Sequence, residues 1–290
     1  YKSIVQSCDT YYYMLANDLG VDTIAEHMAH FGFGQLTGID IAGESKGLLP
    51  STTWKRNAYK RPEQQKWYAG ETISLGIGQG YNNFTMLQLA SAMATLVSGG
   101  QRFEPRLVHE VEDVVTHTRR PMAGQALAPL PLKPESVDVV RHAMQAVVTE
   151  GTSRAVFMGA PYTSGGKTGT AQAVGIRQNE KYNKERLADY QRDHAVYTAF
   201  APVEAPRVAL AVIVENAGWG AGAAAPIARR VLDYVLAGQY PSEEDIAAVQ
   251  QGRGGAPLGK PRVAAEVPLP TPIGAPVPPP AAASATQSPQ

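Results

Sequence analysis

Two short segments, HAVYTAFAP (194–202) and RVALAVIVEN (207–216), do most to limit the folds open to this chain. Both are short and rich in β-branched residues, both are bounded by Pro or Asn, and only VEAP lies between them. Such runs read as strands, and so tight a connection makes them an antiparallel pair, central to a sheet. SGGKTGTAQAV (164–174) is bounded in the same way, with glycine where backbone must be approached closely, and a polar loop from Gly175 to Asp193 follows it. It reads as a third strand beside the pair.

Around these strands the apolar period becomes helical. TYYYMLANDLG (10–20) ends at Gly20, and TMLQLASAMATLVSGG (85–100) starts with Thr85 as its cap. PESVDVVRHAMQAVV (134–148) sets Val137, Val140, Met144, Val147 and Val148 on one face behind a first-turn Pro134. AAPIARRVLDYVL (224–236) reads as a packed final helix, with Ile227, Val231 and Val235 at helical spacing and Gly238 as its stop. RFEPRLVHEVEDVV (102–115) adds a small peripheral strand pair. Helices, then strands, then a helix favour an α+β domain with an antiparallel sheet over alternating βαβ units.

Several function classes fall away on charge and residue usage. The 26 basic and 26 acidic residues cancel without a basic cluster, so no nucleic acid is expected as a partner. A single Cys8 excludes an internal disulfide and a multi-thiolate metal site, and only His27 and His30 of the 6 histidines lie in close register, so no metal is expected. The longest strongly apolar run, VALAVIVE (208–215), is far short of the ~20 residues that span a bilayer. Eleven of the 22 prolines fall in the last 50 residues. Positions 241–290 are therefore expected to be a Pro/Ala-rich disordered tail, with one folded domain over 1–240 ending near Gln239. The chain opens on Tyr1 without a signal-peptide pattern, as a piece of a longer protein would.

SGGKTGTAQ (164–172) poses the sharpest chemical choice. A phosphate loop fails, because Pro161 stands where its first glycine belongs and a strand follows. GIGQGY (76–81) fails as a dinucleotide fingerprint at Tyr81 and reads as a backbone turn. Ser164 and Lys167 spell Ser-x-x-Lys, but that pair works only on a helix, which Gly165 and Gly166 oppose; three apart on a strand, they face opposite ways. As a strand the stretch makes better sense. Lys167 offers charge to a carboxylate, Thr168 and Thr170 offer hydroxyls, and Gly169 lets a ligand lie along the backbone. A bare KTG is equally readable as a polar strand end. In IVQSCDTYYY (4–13), Ser7 and Asp9 precede a helix, where Asp9 reads most simply as its N-cap and Ser7 as a turn residue.

Taken together, SCD at Ser7–Asp9, GKTGTAQ at Gly166–Gln172 and LGIGQGYNNFTMLQLA at Leu75–Ala90 resemble the transpeptidase domain of class B penicillin-binding proteins. KSIVQSCDTYYYMLANDLGVD, FGFGQLTGIDIAGESKG and DHAVYTAFAP extend the likeness over about residues 1–240. Asp9, where division-type members usually carry Asn, favours the elongation or rod-shape branch, the penicillin-binding protein 2 group. The resemblance implies the penicillin-recognising serine-enzyme fold, a five-stranded antiparallel sheet flanked by helices, here N-terminally truncated. It also implies that the family's Ser-x-x-Lys nucleophile, the membrane anchor and a non-catalytic pedestal lie before Tyr1.

The implied activity is two-step acyl transfer on peptidoglycan stem peptides ending in D-Ala-D-Ala, with β-lactams as mimics and no cofactor. Ser7 relays a proton with Lys167 as its electrostatic partner, and Asp9 positions that network. Thr168 and Thr170 receive the terminal carboxylate, the Thr170 N–H forms half of an oxyanion hole, and Gly169 keeps the strand open to the ligand. The implied setting is the periplasmic side of the inner membrane, with elongation-complex membrane proteins, including a glycan polymerase, as partners. A D,D-carboxypeptidase or β-lactamase-like hydrolase and a non-catalytic penicillin-fold scaffold or sensor stay open as alternatives.

Overall fold

A computed structural model describes residues 1–173 and 188–267; most of the loop expected at 175–193, and positions 268–290 of the expected tail, lie outside the described residues. The first hundred residues are helical: α1 (Lys2–Val5), α2 (Asp9–Leu19), α3 (Val21–His30), α4 (Thr52–Ala58), α5 (Pro62–Gln65), α6 (Ala69–Leu75) and α7 (Met86–Val97). At the start of α7, Thr85 Oγ accepts from the Gln88 N–H and the Gln88 side chain accepts from the Thr85 N–H, a reciprocal capping box. The Gln88 amide also donates to the carbonyls of Gln35 and Lys46, so one cap ties down the chain between α3 and α4.

Two small ribbons follow, β1 (Arg102–Phe103) with β4 (Ala126–Leu127) and β2 (Glu110–Glu112) with β3 (Arg119–Pro121). The peripheral strands read in 102–115 thus find their partners downstream. The Asp113 carboxylate accepts from the N–H groups of Val115 and Thr116 and reverses the chain between β2 and β3.

Then come α8 (Pro134–Thr149), α9 (Arg154–Phe157), β5 (Gly165–Ala171), β6 (His194–Ala201), β7 (Val208–Val214), α10 (Gly220–Ala237) and α11 (Glu243–Gln250). β5, β6 and β7 form an antiparallel sheet in that order. Among the described residues only 194–201 is central; 208–214, also expected at the centre, lies at the edge. β6 buries one face completely, through Ala195, Tyr197, Ala199 and Ala201, and on its other face it buries Phe200 while His194, Val196 and Thr198 stay half-buried. Ala195, Tyr197 and Ala199 pack with α10 residues, while Phe200 meets Val97 of α7 and Met144 of α8.

Two further expectations need correction. α10 meets the sheet through Ala224, Ala225, Ala228 and Leu232, all fully buried, whereas Ile227, Val231 and Val235 stay 41–46% exposed. The helix comes too close for the larger residues: a Cβ on Gly220 would lie 2.4 Å from Val196 O and 2.5 Å from Gly169 O. Nor does the fold stop near Gln239. Ser242 caps α11 by accepting from the Asp245 N–H at 3.0 Å. Asp245, wholly buried, holds Arg230 of α10 through bonds of 2.6 and 2.8 Å. Proline content misled here, because most of those prolines stand at or beyond Pro268, while 242–250 carries its own cap and a charge partner on α10.

Candidate active site

The cleft is assembled from chain segments that sequence distance keeps far apart. α1 and α2 are joined by three residues, and that reversal puts Ser7 at φ 54°, a left-handed conformation that costs a non-glycine residue about 1–3 kcal/mol. In return its Oγ meets Lys167, whose amine donates to it. Asp9 is not the N-cap: Cys8 takes that position without a side-chain bond, and Asp9, the first residue of α2, lines the cleft.

Lys167 lies on β5, which among the described residues pairs with a strand along one side only. The glycines ahead of it are a packing requirement. A Cβ on Gly166 would sit 2.2 Å from the Tyr197 hydroxyl, and one on Gly165 would sit 2.5 Å from the Phe200 ring. Ser164 is buried with its Oγ unpartnered, while the Lys167 amine donates to Ser7 Oγ and, at 3.0 Å, to the Thr168 carbonyl. The Ser-x-x-Lys spelled by positions 164–167 is therefore not a working nucleophile and base. Burial pulls the Lys167 pKa below its ordinary value, and the negative charge of Asp9 offsets part of that.

Ser7, Asp9, Lys167, Thr168, Gly169 and Thr170 all line one cleft of about 560 Å³, whose walls include Ile4, Tyr12, Ile77, Met144 and Trp219. Three lining residues escaped the sequence reading. Thr152 Oγ lies 3.0 Å from Thr168 Oγ, the Gln79 amide donates to the Thr170 carbonyl at 3.3 Å, and Trp219 stands at the N-terminal end of α10. GIGQGY is the turn it was read as, with Gly78 at φ 81° and Gly80 at φ 71°, and that turn is what presents Gln79. Its flanks are tied together by Glu71, which pairs with the buried Lys55 and accepts from Tyr81 OH at 2.9 Å. Thr152 carried no local signal, since only tertiary packing brings it to β5.

A half-buried amine bonded to a hydroxyl, a nearby carboxylate and a strand edge can bind the anionic end of an extended peptide and move a proton beside it. Among the described residues no group of three or more His, Cys, Asp or Glu could hold a metal ion.

Residues 2–233 match the family model of the penicillin binding protein transpeptidase domain. The chain belongs to this transpeptidase family. It is 41% identical over 247 residues to peptidoglycan D,D-transpeptidase MrdA of Haemophilus influenzae, covering 84% of this chain and 37% of that protein. For MrdA of Escherichia coli K12 the identity is 37% over 246 residues, covering 82% and 37%. The transpeptidase chain thus spans 37% of the length of these curated relatives. Pseudomonas aeruginosa PBP2 in complex with WCK 5153 superposes with a TM-score of 0.66 at 38% identity, covering 81% of this chain and 48% of that one. A chain from the structure described as the structural coordination of polymerization and crosslinking by a peptidoglycan synthase complex gives 0.63 at 33% identity, covering 80% and 36%. The transpeptidase family thus accounts for the fold: helices packed on an antiparallel sheet, as the α+β reading expected.

Proposed function

We propose that this chain provides the substrate-binding edge and proton relay of a peptidoglycan D,D-transpeptidase that cross-links stem peptides during cell-wall elongation. The observation that carries the reading is the contact of the Lys167 amine with Ser7 Oγ, 160 positions apart in sequence, at the mouth of a strand edge. The names of the MrdA relatives point the same way.

In this reading the attacking serine comes from outside residues 1–290. Its oxygen bonds to the carbonyl carbon of the penultimate D-Ala, and the bond to the terminal D-Ala nitrogen breaks. That nitrogen leaves as an amine after taking a proton through Ser7 Oγ, with Lys167 holding the relay and Asp9 tuning it. Thr168 and Thr170 hold the terminal carboxylate, and the Thr170 N–H faces the developing oxyanion. An amine of a second stem peptide then displaces the serine oxygen, forming the cross-link and returning a proton to the serine. β-Lactams acylate the same serine.

The location that goes with this chemistry is the periplasmic face of the inner membrane, held by an anchor outside this chain. Among the described residues no helix is long and apolar enough to cross a membrane. The peptidoglycan synthase complex among the similar structures supports a glycan polymerase as a working partner.

Labelling of the full-length protein with fluorescent penicillin tests the reading. Lys167→Ala lowers the labelling rate by about 10²–10⁴-fold, and the label maps to a serine outside residues 1–290. Near-normal labelling of the variant, or a label on Ser7 or Ser164, overturns it. Released D-Ala without cross-linked product moves the assignment to a carboxypeptidase or hydrolase, and no acylation at all moves it to a scaffold.

A further inference from the structure

We propose that Thr152 is a positioning residue for carboxylate binding, its hydroxyl donating to Thr168 Oγ so that the Thr168 proton points into the cleft. The inference rests on the transpeptidase reading above. Thr152 lies in the turn that follows α8, with its Oγ 3.0 Å from Thr168 Oγ. That turn is clamped. A Cβ on Gly151 would lie 2.7 Å from Val147 Cα and 2.8 Å from Val5 O, so no other residue fits without displacing backbone. The fully buried Ser153 donates to Val147 O at 3.3 Å and lies 3.0 Å from the Tyr197 hydroxyl. Thr168 faces Tyr197 across the sheet register, so both threonines are placed relative to one buried side chain.

Each hydroxyl has one proton to give and two lone pairs to receive with. In the unliganded pair either threonine can be the donor. A carboxylate only accepts, so once it meets Thr168 a single arrangement remains: Thr168 donates to the carboxylate and Thr152 donates to Thr168. The second bond polarises the first and holds the Thr168 rotor toward the carboxylate once the ligand is in place. Lys167 contributes charge to the same edge, whereas Thr152 contributes direction. Valine fills the space of threonine but has no proton to donate.

The test compares acylation rates of the full-length protein by a penicillin with a free carboxylate and by its methyl ester. Thr152→Val lowers the acid-to-ester rate ratio about three- to tenfold, and Thr152→Ser restores it. Thr152→Val combined with Thr168→Val gives the ratio of Thr168→Val alone, because the two hydroxyls act as a unit. An unchanged ratio in Thr152→Val, including a fall in both rates together, shows a packing role and overturns the proposal. So do effects that multiply in the double variant. A wild-type protein that reacts with neither compound overturns the transpeptidase reading itself, and that failure is visible before any substitution is made.

Discussion

Ser7 and Lys167 join local conformation to long-range fold through one hydrogen bond. The three-residue turn that strains Ser7 also aims its oxygen, and partial burial of the Lys167 amine makes that oxygen its natural partner. The consequence for pH follows from two opposed causes. Burial lowers the Lys167 pKa below 10.5, and Asp9 raises it again. If the protonated amine holds the relay, acylation falls as pH rises through a value lower than that of a free lysine. Asp9→Asn removes the raising charge, so this alkaline limb moves to lower pH in a rate profile of the full-length protein; a limb that stays put or moves up excludes Asp9 from the relay. Linkage has the matching sign. Between the folded and unfolded pKa values the unfolded chain holds the extra proton, so the Lys167 contribution to stability improves as pH rises through that window. At this scale the sequence was informative about which residues gather, because SCD and KTG are local strings, and silent about Thr152, which becomes a neighbour of Thr168 only after α8 is docked.

α8 and α10 show how far a periodic pattern reaches. In α8 the face read from spacing is the face that packs: Val137, Met144, Val147 and Val148 are buried. In α10 two helical stripes compete, one of Ile and Val, one of Ala and Leu, and spacing alone cannot rank them. The sheet selects the small stripe because the N-terminal end of the helix lies against the backbone of β5 and β6 at Gly220. Gly220→Ala forces either the helix or Gly169 to move, at about 1–3 kcal/mol. Thermal unfolding should show a Tm lower by several degrees, and acylation should slow as well, since Gly169 belongs to the ligand-binding edge. A variant with unaltered Tm and acylation rules out this close approach as a constraint.

Over the whole molecule, the segment after Gln239 is held to α10 by buried charge as well as by the Tyr240 ring packed 4.9 Å from that of Tyr234. Asp245 accepts from Arg230 and from the Leu258 N–H at 3.0 Å, and Tyr240 and Arg262 exchange backbone bonds beyond it. Asp245→Ala leaves Arg230 largely buried and unpaired, destabilising the protein by about 3–5 kcal/mol and opening residues 240–262 to proteolysis. Unchanged denaturant midpoint and cleavage pattern would show that this segment contributes nothing to the fold. The sequence by itself determined the α+β class, the antiparallel strands at 164–174, 194–202 and 207–216, four of the helices, and the family, because strand alternation, caps and short motifs are properties of neighbouring residues. Tertiary structure alone decided which face of α10 is inside, that the chain folds on past Gln239, and that Thr152 and Gln79 stand beside the KTG strand. Each of these depends on how closely distant segments approach, and that distance is set by the packing of side chains that no local pattern pairs.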